Sequence, residues 1–513
     1  MRRTPALLMA AALLATAPLV SAPASAADSP LPPVTLPPIP AIKGLPIPSL
    51  PTDLLVPKFV GSPATAQPID HPAIPQNPWL SPNGTNSMHN DPYASDAYAV
   101  SGPLGRKLRV NSASYGVREC ATIAFDSHGR IVGLCGGLEG FVTMVIDPVT
   151  LKPISELRTS ARNLLTSANP FTDICGGTYF FLDADDVAYP TTGRRSIMKI
   201  AINDDGSQTQ MDEWSLTSVI PGGDCLIATM PDYDGRIWFF TQSGIVGTLD
   251  QAGGSIRATH LPDGEEVTNS VANDETGGMY VVSTRALYRL DAADDGTPEI
   301  TWREGYDHGT RLKPGNLSQG SGTTPTLLGD RWVAINDNAD PQTNIVVYDR
   351  RKGVTDRLHC TQPVLPANAG TTDNSLVAAG NSFIIENNYG YGGPWTTLLG
   401  RTTTPGISRV MVDDDGCHVA WTSDEIAPSS VPKASLGNGL LYVYTKPAKL
   451  NGRANTFDAW YFTAIDIRTG ETAWSRLTGT GIQWNNHYAS IYLGPGGAAY
   501  IATLAGLVRI TDA

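Results

Sequence analysis

The stretch ENNYGYGGPW, residues 386–395, combines an ionisable group, two amides and three aromatic rings. Glu386 is a candidate acid, base or oxygen ligand. Asn387 and Asn388 offer amides to polar ligand groups, and Tyr389, Tyr391 and Trp395 offer stacking faces. A carboxylate, amides and aromatic platforms together suit a sugar-like or quinone-like ligand. His487, which follows Trp484 and two asparagines, is a second acid–base candidate, and Asp173 is a third. Arg118, Glu119, Asp224, Asp373 and Asn374 each open an apolar run, where a polar side chain meets solvent at the end of a sheet. Asn336 and Asp337, with Glu386 and Asn387, carry the hard oxygens that Ca²⁺ takes. The acidic strings DADD, NDDG and DDDG lack EF-hand spacing and a distal glutamate, and they fall where hairpin turns are due.

Other chemistries find no support in the sequence. No Gly-x-Ser-x-Gly elbow stands in a strand–turn–helix setting. GPGGAAY has no following Lys-Ser/Thr, no Cys-x-x-Cys occurs, and the eight histidines are dispersed. A net charge of −13 without a basic stripe argues against nucleic acid as partner.

Those residues need elements to hold them, and the chain repeats one phrase. A β-prone run is followed by a Gly/Asp/Asn turn, a second apolar strand, a variable loop and a third strand ending in Asp. Examples are CLIATMPDYDGRIWFFTQSGIVGTLDQAGG and SVANDETGGMYVVSTRALYRLDAADDG. Alternating apolar and polar positions mark strands. Repeats of this length predict an all-β, eight-bladed β-propeller, with seven blades as the alternative count. The last repeat stops after its third strand, while GRKLRVNSASYG supplies a spare strand before the first. Pairing Leu108 to Asn111 with the end of the chain closes the ring and removes both open edges. The innermost strands then bring Arg118, Glu119, Asp173, Asp373 and His487 to one tunnel mouth. Three longer loops, 336–344, 386–395 and 445–460, stand on the same face, with 386–395 expected to wall the pocket.

In AIDIRTGETAW, Ala464 to Trp474, Asp466 is placed to cap the Thr469-Gly470 turn and Trp474 to pack against Ala464 and the next blade. This resembles the tryptophan-docking repeat of the quinoprotein alcohol dehydrogenase-like (PQQ-like repeat) propellers. Only this repeat keeps the whole motif; others keep Asp and Gly or the late Trp. The resemblance implies the architecture over about residues 105–513. Its best-known members use pyrroloquinoline quinone with Ca²⁺, but no two cysteines adjoin here to form the family's vicinal disulfide ring.

Residues 1–26 read as a secretory signal, with Arg2 and Arg3, an apolar run and Ala24-Ser25-Ala26. Residues 27–98 are expected to be a proline-rich extension, a spacer or a strap over the domain that is removable to about residue 80 at little cost, with its last part packed on the body. Residues 99–513 are expected to be the propeller. In an exported chain six cysteines predict three disulfides, paired by strand position as Cys120–Cys135, Cys175–Cys225 and Cys360–Cys417. The function expected is a secreted, periplasmic or envelope-associated monomer without membrane insertion. It binds a small-molecule, saccharide or protein ligand on the long-loop face without catalysis. The alternative is an extracellular enzyme, a quinone-type oxidoreductase or a lyase or hydrolase using tunnel-mouth carboxylates and a histidine.

Overall fold

Short runs with apolar residues on both faces can be buried only by stacking sheet on sheet, and here eight such sheets surround a central tunnel. The computed structural model describes residues 43–49, 55–161, 174–175 and 178–513. The expected signal segment and the proline-rich residues up to 42 lie outside them. Innermost strands are Arg118–Phe125, Leu226–Pro231, Ala272–Asn273, Thr326–Leu328, Val377–Ala378, Lys433–Ser435 and Ile491–Leu493. Blade two enters through residues 180–182, where Leu182 bridges Ala188. Buried clusters between successive blades form the core. Among the described residues no helix is long and apolar enough to cross a membrane.

The ring closes through the N-terminal side of the chain. Arg109–Ser114 pairs antiparallel with Gly506–Thr511, from Arg109 opposite Thr511 to Ser114 opposite Gly506. The closing strand is therefore longer than the expected Leu108 to Asn111, because pairing continues until the chain turns into blade one. The docking geometry is visible at two successive blades. Trp421 of blade six lies on Gly470 of blade seven, where a Cβ would stand 2.6 Å from the indole, and its Nε1 donates to Ile467 O at 2.8 Å. Gly470 has φ 76°, and its N–H returns to Asp466 O at 2.9 Å. Trp474 pairs with Ala464 and lies on Gly105, where a Cβ would stand 2.7 Å away. Asp512 then accepts Leu104 N at 2.7 Å and Arg106 N at 2.6 Å. The two ends of the chain thus rebuild at the closure a turn that blade seven makes with one continuous segment.

The described part of the proline-rich extension runs as a strap over the body, the second of the two expected forms, and its contacts count against the expectation that it is removable at little cost. Phe59–Gly61 extends the outer edge of blade seven. Proline has no N–H to donate but keeps its carbonyl, and the body supplies the donors. Tyr461 Oη binds Pro57 O, Tyr233 Oη binds Pro75 O, and Trp484 Nε1 binds Pro48 O.

Residues 81–98 then plug the tunnel. Phe125, Leu182, Asn273, Leu327, Ala378 and Ala434, all on innermost strands, donate N–H to the carbonyls of Thr85, Asn86, Pro92, Tyr93, Ser95 and Asp96 at 2.8–2.9 Å. So tight a path needs left-handed backbone at Asn90, Ala94 and Asp96, with φ of 58°, 49° and 55°. Asn and Asp tolerate that region well; Ala94 is held there by its surroundings. Asp96 and Lys433 form an ion pair at the centre, both fully buried. Lys433 Nζ also donates to Met88 O at 2.6 Å, and Ser375 Oγ binds Asp96.

The three expected disulfides form. Cys120–Cys135 joins the first two strands of blade one, Cys175–Cys225 joins the entries of blades two and three, and Cys360–Cys417 joins the outer strands of blades five and six.

Breaking the central pair should be costly, because the partner left behind is a buried charge. Lys433→Met is expected to lose about 3–5 kcal/mol in urea unfolding, and adding Asp96→Asn should recover most of that loss. Equal stability of wild type and Lys433→Met would show that the plug does not depend on this pair.

Candidate functional site

A cavity of about 170 Å³ opens at the tunnel mouth. Its floor is the plug, through Met88 and His89. Its walls come from Val117, Glu119, Leu134 and Phe141 of blade one, Tyr179 of blade two, Asn269, Thr324, Asp373, and His487 with Tyr488 of blade eight. Most of the wall is apolar, so the few polar groups are poorly solvated.

Glu119 is the most exceptional of them. Its carboxyl Oε1 has no hydrogen-bond partner, and burial pushes its pKa well above the ordinary carboxylate range. Glu119 is half-buried and lines the cavity. Asp373 is held by the segment joining blades four and five: Leu317 N donates to one oxygen at 2.5 Å and Asn316 Nδ2 to the other at 3.1 Å. Burial raises it to about 7 despite those donors. Both acids therefore sit in surroundings that favour the neutral form. The same segment reaches blade eight, where Tyr488 Oη donates to Gly315 O at 2.9 Å. Tyr488 has φ 56°, a left-handed backbone that an aromatic residue rarely adopts.

Beneath the cavity His89 lies between two kinds of partner. Its Nδ1 is 3.1 Å from Asp96 Oδ1 and its Nε2 is 3.2 Å from Thr324 Oγ1. Burial alone would raise the Asp96 carboxyl, but Lys433 and His89 outweigh it and hold the pKa below its usual value. The sequence places the segment around His89, NSMHNDPYASDAY, on the body as the alternative pocket wall to loop 386–395, but assigns His89 itself no role. Its partners are 7, 235 and 286 residues away, so no local spacing marks it.

The residues expected to act divide sharply. Arg118, Asp373 and His487 reach the cavity wall; Arg118 turns its guanidinium toward Glu156 at 3.1 Å. Asp173 lies outside the described residues. No residue of 386–395 is among those lining the cavity. Glu386 is buried one layer behind, accepting from Asn374 Nδ2 at 2.5 Å, Thr372 Oγ1 at 3.2 Å and Asn388 Nδ2 at 2.9 Å. Burial raises its pKa to about 8 against those donors. Asn387 fastens the same loop through Ala369 O and Pro405 O, and Asn388 Oδ1 accepts Asp373 N at 2.9 Å. Tyr391 is buried, its hydroxyl bridging Asn485 Oδ1 at 2.8 Å and His487 Nδ1 at 2.9 Å. Tyr389 is half-buried and Trp395 is exposed outside the cavity. The loop thus braces the cavity wall from behind through Asn388 and Tyr391.

The oxygens named for Ca²⁺ do not make a metal site with a quinone beside it. Asp337 accepts from Asn344 N, Asn344 Nδ2, Ala339 N and Thr343 Oγ1. Asn336 Oδ1 accepts from Thr343 Oγ1. These side chains tie their own loop together, and Glu386 is enclosed by its own donors in blade six. Among the described residues no three acidic, histidine or cysteine side chains are grouped to hold a metal ion.

No protein-family model matches the chain. A relative from Archaeoglobus fulgidus, described as an uncharacterized protein, is 26% identical over 326 residues, covering 57% of this chain and 62% of the relative. The chain therefore spans less than two thirds of that relative's length. Among solved structures it is similar to a streptogramin B lyase (TM-score 0.41, 11% identity, 79% of this chain and 97% of that one). It is also similar to a catalytically inactive virginiamycin B lyase from Staphylococcus aureus with quinupristin (0.41, 12%, 79% and 99%). A third is the WD40 domain of SCAP from fission yeast (0.43, 10%, 79% and 98%). At these scores the likenesses bear no argument about the site, and the propeller assignment stands on the sheet topology.

The raised pKa of Glu119 has a consequence for stability with a definite sign. The unfolded chain releases this proton near the ordinary value of 4.5, while the folded protein keeps it to higher pH. Folding stability therefore falls as pH rises above about 4.5. Glu119→Gln is expected to be more stable than wild type at neutral pH. Its advantage should vanish below pH about 4 and grow by at most about 1.4 kcal/mol per pH unit above it. Thermal midpoints of both proteins across pH check this; a pH-independent difference would contradict it.

Proposed function

We propose that this chain is an exported β-propeller that holds a neutral, ring-sized group of a small molecule or saccharide in its tunnel-mouth cavity. The observation that carries the reading is Glu119, a carboxyl kept neutral in an apolar wall with one oxygen unpartnered. A protonated carboxyl can donate to a ligand carbonyl, ether or hydroxyl, and a buried polar atom without a partner is the kind of group a ligand satisfies. The volume fits the scale: a cavity of about 150 Å³ accommodates a benzene ring. Asp373 and His487 add polar groups to the lining, and the plug closes the far end so that a ligand enters from one side. Three disulfides fit an oxidising compartment, which supports export, as does the signal-like sequence of residues 1–26. The docking of Trp421 on Gly470 supports kinship with the PQQ-like repeat propellers at the level of packing. Their quinone chemistry is not part of the proposal, because the residues do not assemble its site.

A second reading, acid–base catalysis, has one specific observation behind it. The Asp96–His89–Thr324 chain has the carboxylate–imidazole–hydroxyl order that activates a hydroxyl, and its outer end lines the cavity floor.

Small cyclic probes separate the two. Cyclohexanone, phenol and a panel of monosaccharides are to be titrated against the full chain at pH 6 and pH 9, followed by thermal shift and calorimetry. Binding is expected for at least one probe class, and it should be weaker by about tenfold or more in Glu119→Leu. Because burial raises the Glu119 pKa well above the ordinary carboxylate range, any change with pH should run toward weaker binding as pH rises and be absent in Glu119→Leu. Binding unchanged in Glu119→Leu would remove the proposal. Turnover of ester probes that disappears in His89→Gln, with ligand affinity kept, would favour the catalytic reading.

A further inference from the structure

On the far side of the ring from the tunnel mouth, blades three, four and five enclose a separate cleft of about 510 Å³. Its lining carries five cationic side chains against three acids, an excess of positive charge in a chain whose net charge is −13. Most of these charges are already matched. Arg236 pairs with Asp232 and Asp234, and Arg289 pairs with Asp274 and Asp291. Arg350 gives one nitrogen to Asp274 at 2.6 Å and another to Tyr93 Oη and Gly329 O.

Four groups are left over. Arg350 is 3% exposed, yet its Nε has no hydrogen-bond partner. Trp302 is 8% exposed and its Nε1 also lacks one, although Trp421, the corresponding outer-strand tryptophan two blades on, bonds a carbonyl. Arg357 is buried over the Trp302 ring at 4.9 Å and donates to the carbonyls of Asp349 and Arg351. Among the described residues Arg357 makes no ion pair, although Glu304 and Asp349 act on it through space, and exposed Lys352 donates to Thr276 O at 3.4 Å and acts on Asp291 through space. Burial lowers the Arg357 pKa, and the nearby Glu304 and Asp349 offset that desolvation only in part. Two buried donors without acceptors and two cations without an ion-pair partner among the described residues thus belong to the lining of one cleft. Their shared complement is an acceptor-only, negatively charged group.

We propose that this cleft binds an oxyanion of the phosphate or sulfate class, received by Trp302 Nε1, Arg350 Nε, Arg357 and Lys352. The cleft is much larger than a bare oxyanion, so the anion has room to be the ester group of a larger solute as well as a free ion.

The test uses the full chain with three probes: inorganic phosphate, inorganic sulfate and a hexose phosphate, each against sodium chloride at matched ionic strength. At least one oxyanion should raise the thermal midpoint beyond the chloride control and give a saturable calorimetric isotherm. Tighter binding of the hexose phosphate assigns an esterified anion; equal or weaker binding assigns the free ion. Trp302→Phe keeps the ring beneath Arg357 and removes only the donor, and Lys352→Ala alters an exposed side chain. Each should weaken binding about tenfold. No effect beyond chloride overturns the proposal, and so does binding that survives unchanged in Lys352→Ala and in Trp302→Phe, or in Lys352→Ala alone should Trp302→Phe not fold.

Discussion

A ring of sheets leaves the inner edge of every blade facing a tunnel, with backbone N–H groups that water or protein must satisfy. In this protein much of that demand is met by one segment. Residues 85–96 give six carbonyls to six blades, and the side chain of Asn77 reaches a seventh at Pro231 O. The path cannot be a regular strand, because it has to bond strands that point around a circle. It turns instead through left-handed residues, and at Asp96 it places a carboxylate in the middle of the molecule. Lys433 answers that charge. The pair is therefore a consequence of plugging the tunnel, and the plug in turn holds the blades in register.

The chemistry of the candidate site follows from the same constraint. Because the plug seals one end, the cavity has a floor, and its walls are dry enough to keep Glu119 and Asp373 from ionising readily. His89 is brought there by the plug as well, between a carboxylate below and a hydroxyl at the floor. The loop 386–395 has a different task. Its carboxylate draws together Thr372, Asn374 and Asn388, and through them fixes the backbone of Asp373 at the cavity wall. Its tyrosine steadies His487. The residues richest in functional groups are here the ones that hold others in place.

Closure of the ring shows how a local motif can be completed by distant chain. In blade seven an Asp, a Gly and the preceding blade's Trp come together within one turn. In blade eight the Trp is Trp474, the Asp is Asp512 at the end of the chain, and the Gly is Gly105, about four hundred residues earlier. The packing requirement is the same in both places: an indole needs a surface without a Cβ, and the turn that offers it needs its amides bound. The chain meets this requirement even where no peptide bond links the parts.

The architecture was legible in the amino-acid sequence because it rests on short-range regularities. Alternation along each strand, Gly and Asp at the hairpins, an incomplete last repeat and a spare strand upstream determined an eight-bladed ring with its closure, and cysteine positions within that frame determined the three disulfides. The tunnel-mouth placing of Arg118, Asp373 and His487 came from the same frame. Tertiary structure alone decided what is solvated and what is not. Glu386 reads as an open acid, but Thr372 and Asn374 of a neighbouring loop and Asn388 of its own enclose it. Glu119 reads as one polar end residue among several, and only its burial in the assembled wall raises its pKa. The proline-rich segment reads as a spacer or a strap because proline cannot donate; that its carbonyls would find donors on the body is a fact about the folded surface. His89 meets Asp96 within its own segment, but Thr324, Ser375 and Lys433 come from three other blades, and no spacing in the chain could announce that meeting. Burial and long-range pairing are properties of the assembled ring, and the site depends on both.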